Sequence, residues 1–145
     1  MYVASSVLYA LRVLRTHGMC DSALQDIYRL IVVAKLLYAS SAWSGFITAT
    51  DRQRVDAFLD RSKRCGYCPP DLPPFEELLS KSDQQLFDKI LTNDQHLLYK
   101  LLPPPSFASQ NYNIRNRAHN KELPHHTGHL TDSNFITRML FTDIY

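Results

Sequence analysis

Two pairs of metal-type ligands come first. Cys65-Gly66-Tyr67-Cys68 has the two-residue spacing of a zinc half-site, and His125 and His129 have the three-residue spacing of another. Residues 69 to 124 separate them, whereas the halves of compact zinc modules lie about a dozen to twenty residues apart. The spacing therefore favours a plainer assignment: Cys65 on the apolar side of a helix, Cys68 in the link after it, histidines on a polar surface, and no metal site. Nucleotidyl transfer would need carboxylates grouped around divalent cations, and the sequence contains no Asp-Asp pair. Its only adjacent acids, Glu76-Glu77, suit the solvated start of a short helix. Glycine-rich phosphate loops and the GxSxG and HExxH patterns are absent. No catalytic residue and no cofactor are expected.

The cations are more informative. Arg52, Arg54, Arg61, Lys63 and Arg64 fall within thirteen consecutive residues. Five positive charges so placed could line a surface that tracks a phosphate backbone, or form the solvated rim of an amphipathic helix. Composition leaves both open. Net charge is +2, but residues 1 to 66 hold nine Lys/Arg against five Asp/Glu, and residues 71 to 102 hold three against six. The basic excess sits at the front.

The elements that must position these side chains are helical. Glycines number only four, and no long β-branched alternation occurs. Val3, Val7, Leu11 and Leu14 recur at helical spacing ahead of Gly18, which suits a left-handed cap. A second helix follows Asp21, whose carboxylate is placed to cap it. It carries Leu24, Ile27, Tyr28 and Ile31 on one face and Leu30, Val33 and Leu37 on another, and is expected to lie at the centre. Thr50 with Gln53 has the form of a capping box opening a third helix, with Val55, Phe58, Leu59 and Ser62 as its stripe and Gly66 as its end.

Pro69, Pro70, Pro73 and Pro74 then imply an extended link. Phe75 to Leu79 reads as one short turn, Ser82 with Gln85 as the cap of a new helix, and His96 to Leu102 as another short helix. Pro103 to Pro105 stop it. Residues 109 to 124, SQNYNIRNRAHNKELP, are too polar to fold alone. Tyr112 and Ile114 alternate with Asn111, Asn113 and Arg115 as in an extended arm. A terminal helix, capped by Thr131 or Asp132, carries Phe135, Ile136, Met139 and Leu140.

This predicts an all-α protein in three parts. Residues 1–66 form a small three-helix bundle in which Val7, Leu11, Ile27, Ile31, Phe58 and Leu59 meet. Residues 67–105 form a proline-rich link and short helices, and residues 106–145 the arm and terminal helix. Cys20, Cys65 and Cys68 are an odd set with no leading signal segment, so an intracellular, cytoplasmic or nuclear setting is expected. The most apolar run, Leu30 to Ala39, is far short of the roughly 20 residues of a membrane span and contains Lys35, so no membrane association is expected.

Three stretches carry a family resemblance: LLYASSAWSGF at 36–46, DQQLFDKILTNDQHLLYKLLPPP at 83–105, and SQNYNIRNRAHNKELP with LTDSNFITRMLFTDIY towards the end. Together they resemble the carboxyl-terminal part of the reverse transcriptase of non-LTR (LINE-type) retrotransposons. The similarity implies that residues 1–66 are the helical thumb following the catalytic palm of an RNA-directed DNA polymerase, and the remainder its post-thumb tail. The palm and its Tyr-x-Asp-Asp box have no counterpart in this sequence, so the magnesium of the whole enzyme has no ligand to carry over and this chain is not expected to be an enzyme alone. Carried over from the thumb are Arg52, Arg54, Arg61, Lys63 and Arg64, as contacts to template and primer.

Two functions follow, a non-catalytic binder of RNA template and DNA primer, which would join a palm domain supplied elsewhere, and a structural or protein-interaction remnant of a decayed element. Arg115 and Arg117 of the arm have two possible partners. They would sit on phosphates in the first case, or satisfy the acids of residues 71 to 102, which is the preferred reading because those acids are covalently present.

Overall fold

Two glycines show how the sequence ends its helices. In the computed structural model, which describes residues 2–107, 119–126 and 128–142, helix α1 (Tyr2–Thr16) is closed by Met19 N–H to the Leu14 carbonyl and Gly18 N–H to that of Arg15. Helix α5 (Ala49–Arg64) repeats the pattern, Tyr67 to Ser62 and Gly66 to Lys63. Gly18 and Gly66 sit at φ +88° and +72°, where a Cβ would be strained. Every regular element of the described residues is helical, apart from one antiparallel bridge between Pro105 and Lys121. The chain is all-α, as expected.

Between α1 and α5 runs α2 (Asp21–Tyr28), then a π-helical turn (Arg29–Val33), then α3 (Ala34–Leu37). Asp21 is the first residue of α2 and not its cap; Cys20 holds the cap position, and its side chain makes no capping bond. The π turn inserts one extra residue and so shifts the phase of everything beyond it. That shift takes Ile31 out of the expected core. Tyr28 and Val32 are buried, while Ile31 is 51% and Leu30 75% exposed, so this is not a helix enclosed on most sides. Ala39, at φ 49°, separates α3 from α4 (Ser40–Trp43) and the 3-10 turn Ser44–Phe46.

Thr48 caps α5, two residues before the expected Thr50: its Oγ1 accepts from Asp51 N–H at 3.1 Å. Residues 75 to 92 are one helix, α6 (Phe75–Thr92), rather than a turn and a second helix. Neither Gly nor Pro interrupts them, so the box at Ser82 and Gln85 is absorbed into a continuing helix. A 3-10 turn, Leu97–Leu101, is capped by His96. Two short helices close the described chain, α7 (His129–Asp132) and α8 (Phe135–Phe141). Asn134, not Thr131 or Asp132, caps α8 by accepting from Ile136 N–H.

The chain divides into two compact units, Met1–Ser40 with Ile47–Leu79, and Ser41–Phe46 with Ser80–Tyr145. In the first, Leu11, Leu24, Tyr28, Val32 and Leu59 are buried together with Tyr67, Cys68, Leu72, Phe75 and Leu79. The proline-rich stretch contributes to this core, because its apolar residues turn inward between the prolines. Val7, Ile27 and Phe58 are half-buried, and Phe58 stacks on Tyr28 with ring centroids 6.5 Å apart. Arg15 joins three parts of this unit: it donates to the Cys65 carbonyl at 2.8 Å, pairs with Asp21 at 2.9 Å and lies over the Tyr67 ring.

The second unit packs Phe87 and Ile90 of α6 against Phe135, Met139 and Leu140 of α8, with Leu98, Tyr99, Leu102 and Leu123 around them. Burial of a side chain such as Phe87 contributes about 2–3 kcal/mol. The expected arm over residues 109–124 lies outside the described residues up to 118. Residues 120–122 are bridged to 104–106, through Ser106 N–H to the Asn120 carbonyl and Glu122 N–H to that of Pro104.

Candidate nucleic-acid interface

Helix α5 divides its five cations between two roles. Arg52, about a third exposed, is ion-paired with Glu76 at the start of α6, and Lys63 is half-buried with Nζ donating to the Leu72 carbonyl at 3.1 Å. Both are committed inside the first unit. Arg54, Arg61 and Arg64 are exposed. Arg54 reaches Asp51 one turn back at 3.2 Å, Arg64 Nε approaches the Asp60 carbonyl at 3.4 Å, and Arg61 has no side-chain partner among the described residues.

The helical period explains the division. Positions 54, 61 and 64 fall on one face and 52, 59 and 63 turn towards the buried side, where Leu59 is 3% exposed. Arg61, Lys63 and Arg64 also occupy the last turn, where cations complement the partial negative charge of the free carbonyls. Asp56 and Asp60 are exposed on the same helix, so the three outward arginines form a mixed surface with a positive bias. Such a surface suits weak, sequence-independent phosphate contact.

Arg115 and Arg117 lie outside the described residues. Of the acids read as their partners, three already hold cations: Asp71 with Arg29 at 2.8 Å, Glu76 with Arg52, and Asp83 with Arg138 at 3.0 Å. The Arg29 guanidinium, bonded to both oxygens of Asp71, holds that carboxyl below its usual range.

Cys65 is exposed and Cys68 buried with its Sγ on the Pro69 carbonyl, while burial pushes the Cys68 thiol up. His125 and His129 are exposed. Among the described residues no group of three or more His, Cys, Asp or Glu could hold a metal ion. The magnesium implied by the family resemblance finds no fitting donor set among the described residues. Glu76 and Glu77 occupy the first turn of α6, one paired with an arginine.

One polar cluster had no signal in the sequence. In the second unit, Asp83 of α6 is 3% exposed and accepts from Ser41 Oγ at 2.6 Å and from Arg138 of α8, which also donates to Ser44 Oγ at 2.9 Å. Residues this far apart in sequence leave no spacing to read. Serine hydroxyls, guanidinium and carboxylate together tie segment 41–46 to α6 and α8.

No helix of the described residues is long and apolar enough to cross a membrane. Searches of family models, curated proteins and solved structures give no match to this chain.

Proposed function

We propose that this chain is a non-catalytic, thumb-and-tail piece of a non-LTR-type reverse transcriptase, and that the outer face of α5 rests on the phosphate backbone of template and primer. The enzyme class rests on the resemblance of residues 36–46, 83–105 and the tail. The mode of binding rests on one observation: Arg54, Arg61 and Arg64 face outward on a single stripe, while Arg52 and Lys63 serve the fold. Guanidinium groups so displayed offer charge-assisted bonds to phosphate oxygens with no base readout. Polymerisation would need a palm from elsewhere, since the described carboxylates supply no metal site.

A second reading, a helical interaction module left by a decayed element, is favoured by Asp56 and Asp60, which offset part of the positive charge of α5. Fluorescence anisotropy with labelled single-stranded RNA and an RNA–DNA duplex across a salt series separates the two. Phosphate binding predicts affinity that falls steeply with salt, and the triple variant R54A/R61A/R64A should weaken binding and flatten the slope by about one unit for each arginine that sits on a phosphate. Circular dichroism should be unchanged, because all three side chains are exposed. Absence of salt-sensitive binding by the unmodified chain would leave only the interaction module.

A further inference from the structure

The π turn produces a surface that is complementary to itself. Asp26, Leu30, Ile31, Ala34 and Lys35 are all exposed on the continuous rod formed by α2, the turn and α3. In a regular helix positions 26 and 35 would lie about 180° apart around the axis; the extra residue of the π turn cuts that to about 80°, so that 26, the 30–31 pair and 35 share the exposed side. Leu30 and Ile31, 75% and 51% exposed, form the apolar middle of the strip. An acid ends it on one side and a base on the other. Neither the Asp26 nor the Lys35 side chain has a partner among the described residues.

Positions 26 and 35 are equidistant from the midpoint between 30 and 31. A second copy laid antiparallel, with the two-fold axis through that midpoint, sets Asp26 of each chain against Lys35 of the other and Leu30 against Ile31. Every favourable pair then occurs twice, as an isologous interface requires. A strip carrying only apolar residues would admit any apolar partner, and one carrying a single sign of charge would repel its copy. This strip does neither. We propose that the chain self-associates through an antiparallel pairing of this rod, centred between Leu30 and Ile31.

An interface of one helix pair falls below about 1,200 Å² in total, the range of weak and transient complexes. The dimer should accordingly depend on concentration, and it is independent of which reading of α5 holds.

Sedimentation velocity of the full chain, from micromolar to millimolar protein, tests this through charge reversal. The unmodified chain should shift from monomer to dimer. Asp26→Lys places two like-charge pairs across the axis and should weaken dimerisation by about tenfold or more, as should Lys35→Asp. An equimolar mixture of the two variants should recover it, because each then supplies what the other lacks, and D26K/K35D in one chain should recover it too. Leu30→Ser should weaken association whatever the charges. All these sites are exposed, and circular dichroism checks that each variant folds. A chain monomeric throughout, a D26K variant that dimerises as well as the unmodified protein, or a mixture no better than its components would overturn the pairing.

Discussion

Arg138 of α8 donates through Nη2 to Asp83 of α6 at 3.0 Å, joining residues 55 positions apart in a site where the carboxylate is almost fully enclosed. Ser41 and Ser44 add hydroxyl donors to the same carboxylate, at 2.6 and 3.5 Å, so segment 41–46 is held to α6 and α8 through one anion. Removing one partner of such a pair leaves the other charge enclosed without compensation. Asp83→Ala should cost about 3 kcal/mol and Arg138→Ala about 2, the smaller figure reflecting the 28% exposure of the arginine side chain. Replacing both with apolar residues, D83L/R138M, should cost less than either. Urea unfolding followed by the fluorescence of Trp43, the single tryptophan and part of segment 41–46, provides the measurement. Additive costs in the double variant would show that the two residues do not act as a pair.

Gly45 makes that approach possible. A Cβ built there would lie 2.0 Å from the Ser133 carbonyl oxygen and 2.8 Å from Arg138 Nε. Backbone cannot yield as a flexible side chain does, so Gly45→Ala should destabilise the second unit by about 2–4 kcal/mol. Gly18→Ala is the control. Open space surrounds that site, and the cost is the left-handed backbone alone, about 1–2 kcal/mol. Equal losses in the two variants, read from Trp43 and from circular dichroism, would remove the packing role assigned to Gly45.

Glycines also mark which parts of the fold were legible in the sequence. Gly18 and Gly66 end helices where the periodicity of Val7, Leu11 and Leu14 and of Val55, Phe58 and Leu59 runs out, because the signal and the structure it specifies are both local. Ile31 departs from its expected place in the core because a π turn resets the helical phase without any residue type that announces it. Thr48 and Thr50 carry the same capping chemistry two residues apart, and only the path of the chain into α5 selects the first. For the candidate interface, helical spacing in the sequence already sets Arg54 and Arg61 on one flank of the α5 stripe and Arg52 and Lys63 on the other, but only the fold shows that the second flank meets Glu76 and the Leu72 carbonyl. The Asp83–Arg138 tie depends on tertiary approach alone.

Tyr28 gives the first unit a pH dependence at the alkaline end. Its phenol is buried with no hydrogen-bond partner for Oη among the described residues, and burial pushes its pKa up to about 12. The neighbouring Ser62 hydroxyl opposes that rise but donates its own proton to the Phe58 carbonyl. The folded chain thus keeps a proton that the unfolded chain releases near its ordinary value of about 10. Stability from this group is complete below pH 10 and is lost as pH rises from about 10 to 12, on the order of 2 kcal/mol. Tyr28→Phe should leave stability at neutral pH within about 1 kcal/mol of the unmodified chain, since no bond is broken. It should also flatten the alkaline decline in a thermal-unfolding series. An unchanged decline would assign the effect to other tyrosines.

His119 fixes the segment after residue 118 through both ring nitrogens. Nδ1 lies 3.1 Å from the Lys121 N–H, which can only donate, and Nε2 lies 2.9 Å from the Leu140 carbonyl, which can only accept. The ring is therefore the neutral tautomer with its proton on Nε2, held edge-on to Phe87 at 5.9 Å. Phenylalanine at this site keeps the ring packing and loses both bonds, leaving the Lys121 amide and the Leu140 carbonyl without their partner. Asparagine places an oxygen near the position of Nδ1 and keeps the first bond alone. His119→Phe should cost about 2 kcal/mol, with His119→Asn losing the ring packing instead. Amide hydrogen exchange distinguishes the two contributions. Protection of Lys121 should fall in the phenylalanine variant and persist in the asparagine variant, even where the asparagine variant is globally the less stable. Equal protection in both would show that the bridge to residues 104–106 holds this segment without the histidine.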